Sequence, residues 1–411
     1  MRWLLAATLV MVVGGGVGLA APVAGGGLGL AAAVAGGGVG LAAPVAAPVA
    51  GEVAGGGAGV AAGYRQLVAG SHYNCVIRVD GSLWCWGDNQ YGQLGIGDTV
   101  IDAQYVPVQV EPGVRWRSVH AGEGGHTCGI RTDGSLWCWG YNWAGQLGDG
   151  TQTGRSFPVR VGTGSWTGVG VGSMHTCAIR SDASLWCWGD NRYGQLGDGT
   201  LTNHPTPVQI GAGASWAEVT GGGGHTCARR TDGTLWCWGT GGRTGDGTGE
   251  QRLTPVQIGA GLGWTKVAAA YAHTCAVRTD STLWCWGHNN GALGDGTYEA
   301  RWSPTAVAGG GSWATVDPGY AHTCARRTDA SVWCWGSNLA GSVGDGTTAI
   351  RYSPVPVVGD QTWADLGAGQ GHTCAVRSDS TVWCWGDNVS GSLGQGPLVY
   401  WRTVPTRVLT L

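Results

Sequence analysis

A pair of cysteines ten residues apart around a turn returns seven times along this 411-residue chain: Cys75 with Cys85, Cys128 with Cys138, Cys177 with Cys187, Cys227 with Cys237, Cys275 with Cys285, Cys324 with Cys334, and Cys374 with Cys384. No cysteine is left over. Successive first cysteines lie 53, 49, 50, 48, 49 and 50 residues apart. A fixed period of that size marks an array of like units, each too small to bury its apolar face alone and therefore stacked on its neighbours.

Within a unit the strands can be placed by pattern. In the third, Trp166 to Val169 and His175 to Arg180 alternate or are rich in β-formers, Leu185 to Trp188 is a short apolar run, and Pro207 to Ile210 is a fourth segment. Four strands per unit describe an antiparallel blade in an all-β chain. Composition agrees: 80 glycines, 24 tryptophans and one phenylalanine, with fourteen of the tryptophans in seven copies of Trp-Cys-Trp.

The middle turn sets the register. It reads Asp80-Gly81-Ser82, Asp133-Gly134-Ser135 and Asp232-Gly233-Thr234, a three-residue loop with its glycine in the left-handed region. Arg78 then pairs with Ser82, Ile77 with Leu83 and Val76 with Trp84. Cys75 faces Cys85 at a non-hydrogen-bonded site, where Cα atoms lie about 4.5 Å apart and within disulfide reach. One disulfide per blade is therefore expected. Ala183, Ser281, Ala330 and Ser380 occupy the supposed glycine position, where a side chain costs about 1 kcal/mol, and those four turns are candidates for a different geometry.

The same residues admit a metal reading, because His126, Cys128 and Cys138 share a strand face and five other blades repeat the trio. Unit one argues against it: Tyr73 stands where the others have histidine, yet Cys75 and Cys85 are kept. No Cys-x-x-Cys occurs either. Disulfides are the preferred reading, with no metal and no cofactor expected, and reduced core thiols are the remaining alternative. Paired cysteines imply an oxidising compartment.

Residues 1–63 differ in kind. Met1-Arg2-Trp3 followed by the apolar run Leu4 to Val13 reads as an export signal, ending after Ala20 or Ala35. Near-copies of an eleven-residue word begin at residue 14, such as GGGVGLAAPVA at 14 to 24 and 36 to 46, and residues 21 to 63 read as a low-complexity spacer whose glycines oppose helix and whose side chains are too small for a core. An uncleaved membrane anchor through residues 3 to 24 is the competing reading, weakened by the glycines that interrupt the span. A secreted, periplasmic or cell-surface monomer is expected. The net charge is −3 with Lys266 the one lysine, so the basic footprint of a nucleic-acid binder is missing.

The stretch HTCAIRSDASLWCWGDNRYGQLGDGT, residues 175 to 200, resembles the repeat of the regulator of chromosome condensation family in its histidine before a β-hairpin, its Trp-Gly after it, and its Gly-Gln-Leu-Gly segment. The likeness covers residues 64 to 411 in seven copies and implies that family's seven-bladed β-propeller. It says less about activity, since the family includes a nuclear nucleotide-exchange factor, an extracellular enzyme inhibitor and many interaction modules. The Trp-Cys-Trp cysteines depart from the best-known members and are similar to a variant in bacterial exported proteins. Guanine-nucleotide exchange is not expected, because export removes the intracellular partner and no segment matches an exchange-active insertion.

Repetition separates scaffold from function. His126, His175, His225, His273, His322 and His372 recur once per blade and read as structural, as do the arginine three residues after each first cysteine and the aspartate two further on. Asp149, Asp198, Asp246, Asp295 and Asp345 precede Arg155, His204, Arg252, Arg301 and Arg351 by six residues, which reads as an ion pair across a loop, against a basic ring for an anionic partner. Binding candidates are the residues that break the pattern. His72, Glu123, Met174, Tyr271, Tyr320 and Gln370 vary in the first connection, with Tyr91, Trp143 and Tyr193 on the same face or packed in the scaffold. Arg229 and Arg326 replace an apolar residue on the cysteine face, and either snorkel toward the hairpin end or anchor a partner on the opposite face.

The favoured function is an exported, non-catalytic module that grips a protein, or as a second choice a glycan. The alternatives are a secreted propeller enzyme with its site at the central channel and a structural surface protein. No non-repeated cluster of Asp, Glu, His or Ser stands out in the sequence, so no catalytic residue is assigned.

Overall fold

The computed structural model describes residues 63–97 and 102–409; the export signal, the spacer and the membrane-anchor alternative fall outside the described residues. Seven four-stranded antiparallel sheets, each of four strands consecutive in the chain, form a seven-bladed β-propeller. Blade three has an innermost strand Trp166–Val171, a second strand His175–Arg180, a third Leu185–Gly189 and an outer strand His204–Ile210. The outer strand starts three residues before the segment that pattern marks, because Pro205 and Pro207 mask it. Every outer strand holds a proline, such as Pro107, Pro158, Pro255 and Pro405, which suits an edge whose missing N–H faces solvent and blocks further strand pairing.

The middle hairpin has the expected register: Ile77 faces Leu83, Val76 faces Trp84 and Cys75 faces Cys85. All seven pairs are joined as disulfides with Cα separations of 4.0 to 4.1 Å. Sulfur bound to sulfur is not a thiolate, so these cysteines are neither zinc ligands nor free core thiols.

The four glycine-less turns correct the sequence reading. Ala183, Ser281, Ala330 and Ser380 have φ of 64°, 64°, 67° and 65°, in the same left-handed region as Gly81. The aspartate clamp explains it. Asp329 Oδ1 accepts from the Ser331 N–H at 2.9 Å and from its hydroxyl at 2.6 Å, and Trp333 Nε1 donates to that hydroxyl at 3.0 Å. These local bonds outweigh the cost of a Cβ. Ala330→Gly is therefore expected to keep the turn and to raise stability by no more than about 1 kcal/mol, because the relieved strain is partly offset by the freer unfolded glycine; thermal unfolding beside the parent protein is the check.

The core is a set of layers between blades. Between blades three and four, Cys177, Ile179, Leu185 and Leu196 pack against Trp216, Val219, Ala228 and Trp238. A clasp binds each layer. The Gln146 carbonyl of blade two accepts from the Thr176 hydroxyl at 2.8 Å and from Trp188 Nε1 at 2.9 Å, both in blade three. With its proton so used, Thr176 accepts from His126 Nε2 at 3.0 Å. The Gly-Gln-Leu-Gly word and the repeated histidine are thus parts of one inter-blade bond. Tyr73 fills the histidine's place in blade one, its hydroxyl 2.9 Å from Thr127 Oγ1. The repeated arginine is also scaffold: Arg180 lies between two indoles, 5.1 Å from Trp166 and 4.0 Å from Trp186.

The ring closes without strand exchange. Blade seven reaches blade one through Asp365 Oδ2, which accepts from the Leu67 N–H at 2.8 Å, and through His372 Nε2, 2.9 Å from Asn74 Oδ1.

Candidate functional site

In an antiparallel blade the first and third connections leave on one face, and contacts between them follow. Met174 of a first connection meets Arg192 of a third, sulfur to nitrogen 3.8 Å. The Thr240 hydroxyl likewise donates to the Gly224 carbonyl at 2.9 Å. At the centre of this face the ends of the innermost strands enclose a cavity of about 160 Å³. Its wall is mostly glycine, alanine and valine, with His120, Glu123, Ser173, Thr220 and Asp317 as the side chains able to hydrogen-bond.

Three predicted residues come together over the cavity. The rings of Tyr271 and Tyr320 stack with centroids 4.6 Å apart. Glu123 of blade two reaches across the mouth to blade five, where the Tyr271 main-chain N–H points at its carboxyl. Arg243 Nη1 donates to the Tyr271 carbonyl at 3.0 Å, its guanidinium 5.5 Å from that ring. Burial pushes the Glu123 carboxyl up to about 7, against the opposing pull of the Tyr271 N–H and Arg243.

The other candidates separate. Met174 joins Trp143 and Arg192 in a depression on the rim, and Trp143, 69% exposed, stands between that depression and a second one beside Tyr141. Tyr91 packs on Tyr141 with tilted rings, centroids 4.8 Å apart, and remains half exposed, as does Tyr193; Leu339 of blade six is 80% exposed. His72 and Gln370 sit where the ring closes, and Gln370 Oε1 accepts from the Ser71 hydroxyl at 2.6 Å. Arg229 pairs with Glu218 at 3.3 Å on the adjoining strand, and Arg326 lies beside Asp365. Arg229 thus pairs with a carboxylate of an innermost strand, and the Arg326 charge acts on another. The loop aspartates hold Arg155, His204, Arg252, Arg301 and Arg351 within 2.5 to 3.0 Å, so those basic groups are engaged across their own loops.

Sequence reasoning missed the polar residues in the channel. The fifth position of the innermost strand reads Val68, His120, Gly170, Thr220, Ala268, Asp317 and Gly367, and its lack of repetition was the available signal. Some of these serve the scaffold. An innermost strand shows a bare edge to the channel, and side chains of the preceding blade cover it: Thr220 Oγ1 accepts from the Ala269 N–H at 3.1 Å, and Asp317 accepts from the Ala368 N–H. Burial pushes Asp317 up to about 8 and holds His120 down to about 4. Arg243 was missed because it takes the clasp position held by Gln93, Gln146 and Gln195.

With this architecture in place, comparison is informative. The sequence pattern of the RCC1-like domain matches residues 57–308, more than half of the chain. The chain belongs to the RCC1-like family. The regulator of chromosome condensation (RCC1) repeat matches again at 316–342 and 363–392 of this RCC1-like protein. Among curated relatives it is similar to the ultraviolet-B receptor UVR8 of Arabidopsis thaliana, 37% identical over 97 residues, which is 24% of this chain and 22% of that protein. It is also similar to the protein RCC2 homolog of Xenopus laevis, 40% identical over 92 residues, or 22% and 18% of the two. The matches thus span about a fifth of those relatives' length. Among solved structures, yeast RCC1 (Prp20) superposes with a TM-score of 0.71 at 19% identity, over 89% of this chain and 91% of that one. Human WBSCR16 gives 0.69 at 18% identity, over 78% and 88%. At such identities the likeness is one of fold.

Proposed function

We propose that this RCC1-like propeller is an exported, non-catalytic module that grips a partner protein with its loop face. The observation that carries the reading is the set of repeat-breaking aromatic and apolar side chains on that face: Tyr271 stacked on Tyr320 at the channel mouth, and Trp143, Tyr193 and Leu339 exposed around it. Large rigid side chains of this kind supply much contact area at low entropic cost and are enriched where proteins meet. Solved relatives agree in kind: the yeast protein Prp20 is described with binding properties toward Gsp1p and histones, and as bound to Kap60. Export is supported by the buried disulfide in every blade, which calls for an oxidising compartment.

The test is capture from the culture medium of the producing cell with the oxidised propeller as bait, beside Tyr271→Ala with Tyr320→Ala. Loss of two central anchors is expected to weaken binding by at least about 30-fold. Unchanged capture of the same protein by the double variant would remove the assignment of this face.

A further inference from the structure

The channel cavity holds polar atoms that the fold does not use. Glu123 Oε2 and Ser173 Oγ both belong to its wall, both are buried, and neither has a hydrogen-bond partner. Ser173 is 9% exposed, so its hydroxyl cannot turn to bulk solvent. Buried polar atoms without partners call for a water or a ligand in the space they face. The wall carries two carboxyls, Glu123 and Asp317, and no arginine or lysine.

We propose that the loop-face end of the central channel is a binding site for a primary ammonium group, received by Glu123 and Ser173. An ammonium group has three donors and no acceptor, which complements an unpaired carboxylate oxygen and an unpaired hydroxyl oxygen. Its charge is the counter-ion that the wall itself does not supply, Arg243 acting on Glu123 from the mouth, and a charge-assisted bond is the stronger kind. The cavity of about 160 Å³ corresponds to about five waters at roughly 30 Å³ each, and so admits a short alkylammonium stem. The apolar wall of Val68, Ala69, Val171 and Ala268 suits that stem. Arg243 is held at the mouth on the Tyr271 carbonyl and is not part of the wall. The site is independent of the protein-binding reading, since a free small amine and a lysine side chain carry the same chemistry.

Titration calorimetry of the oxidised full-length protein tests it, with n-butylammonium, the uncharged 1-butanol and Nα-acetyl-lysine methylamide as probes. The expected result is saturable binding of n-butylammonium with a Kd of about 1 mM or tighter and none of 1-butanol. Glu123→Gln keeps an oxygen for the Tyr271 N–H, so the loop stays in place, and should weaken binding by at least about tenfold; Ser173→Ala should weaken it several-fold. Phe157→Ala, on the exposed outer strand of blade two and outside the cavity, should leave it unchanged. The two sources are told apart by the lysine derivative: affinity equal to that of n-butylammonium points to a partner's lysine, and exclusion of the bulkier probe points to a free amine. Three results would each overturn the site: no saturation by either amine, which leaves the cavity to water alone; equal binding of 1-butanol; or indifference to both Glu123→Gln and Ser173→Ala.

Discussion

Lowering the pH from 7 toward 4 is expected to unfold this propeller steeply, with a midpoint above pH 4. Burial is the leading cause in each of seven histidines held below the ordinary value of 6.5: His126, His273 and His372 down to about 3, His120, His175 and His322 down to about 4, and His225 well below it. A group whose folded pKa is depressed contributes stability that is fully present above its unfolded pKa and lost as pH falls through the folded one. The window for these seven is therefore about pH 6.5 down to 3. Three buried carboxyls act the other way. Asp317, raised to about 8, and Glu123, raised to about 7, take up their protons in the folded state as pH falls through those values and gain stability, and burial raises Asp365 in the same direction. Seven protons taken up on unfolding against two to three released leave about four to five near pH 5, and hence a loss on the order of 5 to 7 kcal/mol per pH unit. That slope is large beside the usual total stability of about 5 to 15 kcal/mol. Urea melts at pH 7, 6 and 5 would measure it, and a flat or rising stability over that range would contradict the buried-neutral histidine ring.

The second large effect concerns the staples. Replacing Cys177 and Cys187 together by alanine is expected to lower stability by about 2.5 to 3 kcal/mol, the entropy of closing an eleven-residue loop. Both sulfurs are fully buried and pack in the layer between blades three and four, so lost packing adds to the entropic effect. With seven such pairs, reduced chain is not expected to refold. In mass spectra taken without reductant, all links should fall within single repeats. Protein unfolded in denaturant alone should take up no alkylating reagent, and uptake of fourteen equivalents would show that the pairs are not formed in the native molecule.

The pairing of these cysteines was legible before any coordinates because it is local. A three-residue turn of known hand sets which residue faces which, and Cys75 opposite Cys85 follows by counting. The four turns with Ala or Ser in the left-handed position were harder, since backbone preference alone opposes them; the clamp from the preceding aspartate to the following Ser or Thr decides the geometry. The face proposed for binding was half legible. Glu123, Tyr271 and Tyr320 stood out as interruptions of the repeat, but four other interruptions lie elsewhere: His72 and Gln370 where the ring closes, Arg229 in a pair with Glu218, and Arg326 beside Asp365.

By itself the sequence determined the period, the all-β blade, the disulfide within each hairpin and the number of blades, because each follows from residues close together in the chain or from counting copies. Only the tertiary structure decided that Glu123 of blade two meets Tyr271 of blade five, that Ser173 and Asp317 face one cavity, and that the Gly-Gln-Leu-Gly carbonyl serves the next blade's Thr and Trp. The clasp needs only the next blade in place, whereas the first two depend on closing the ring, which brings Glu123 within bonding distance of a residue about 150 positions away, and no periodicity in the chain encodes which blades face one another across its axis.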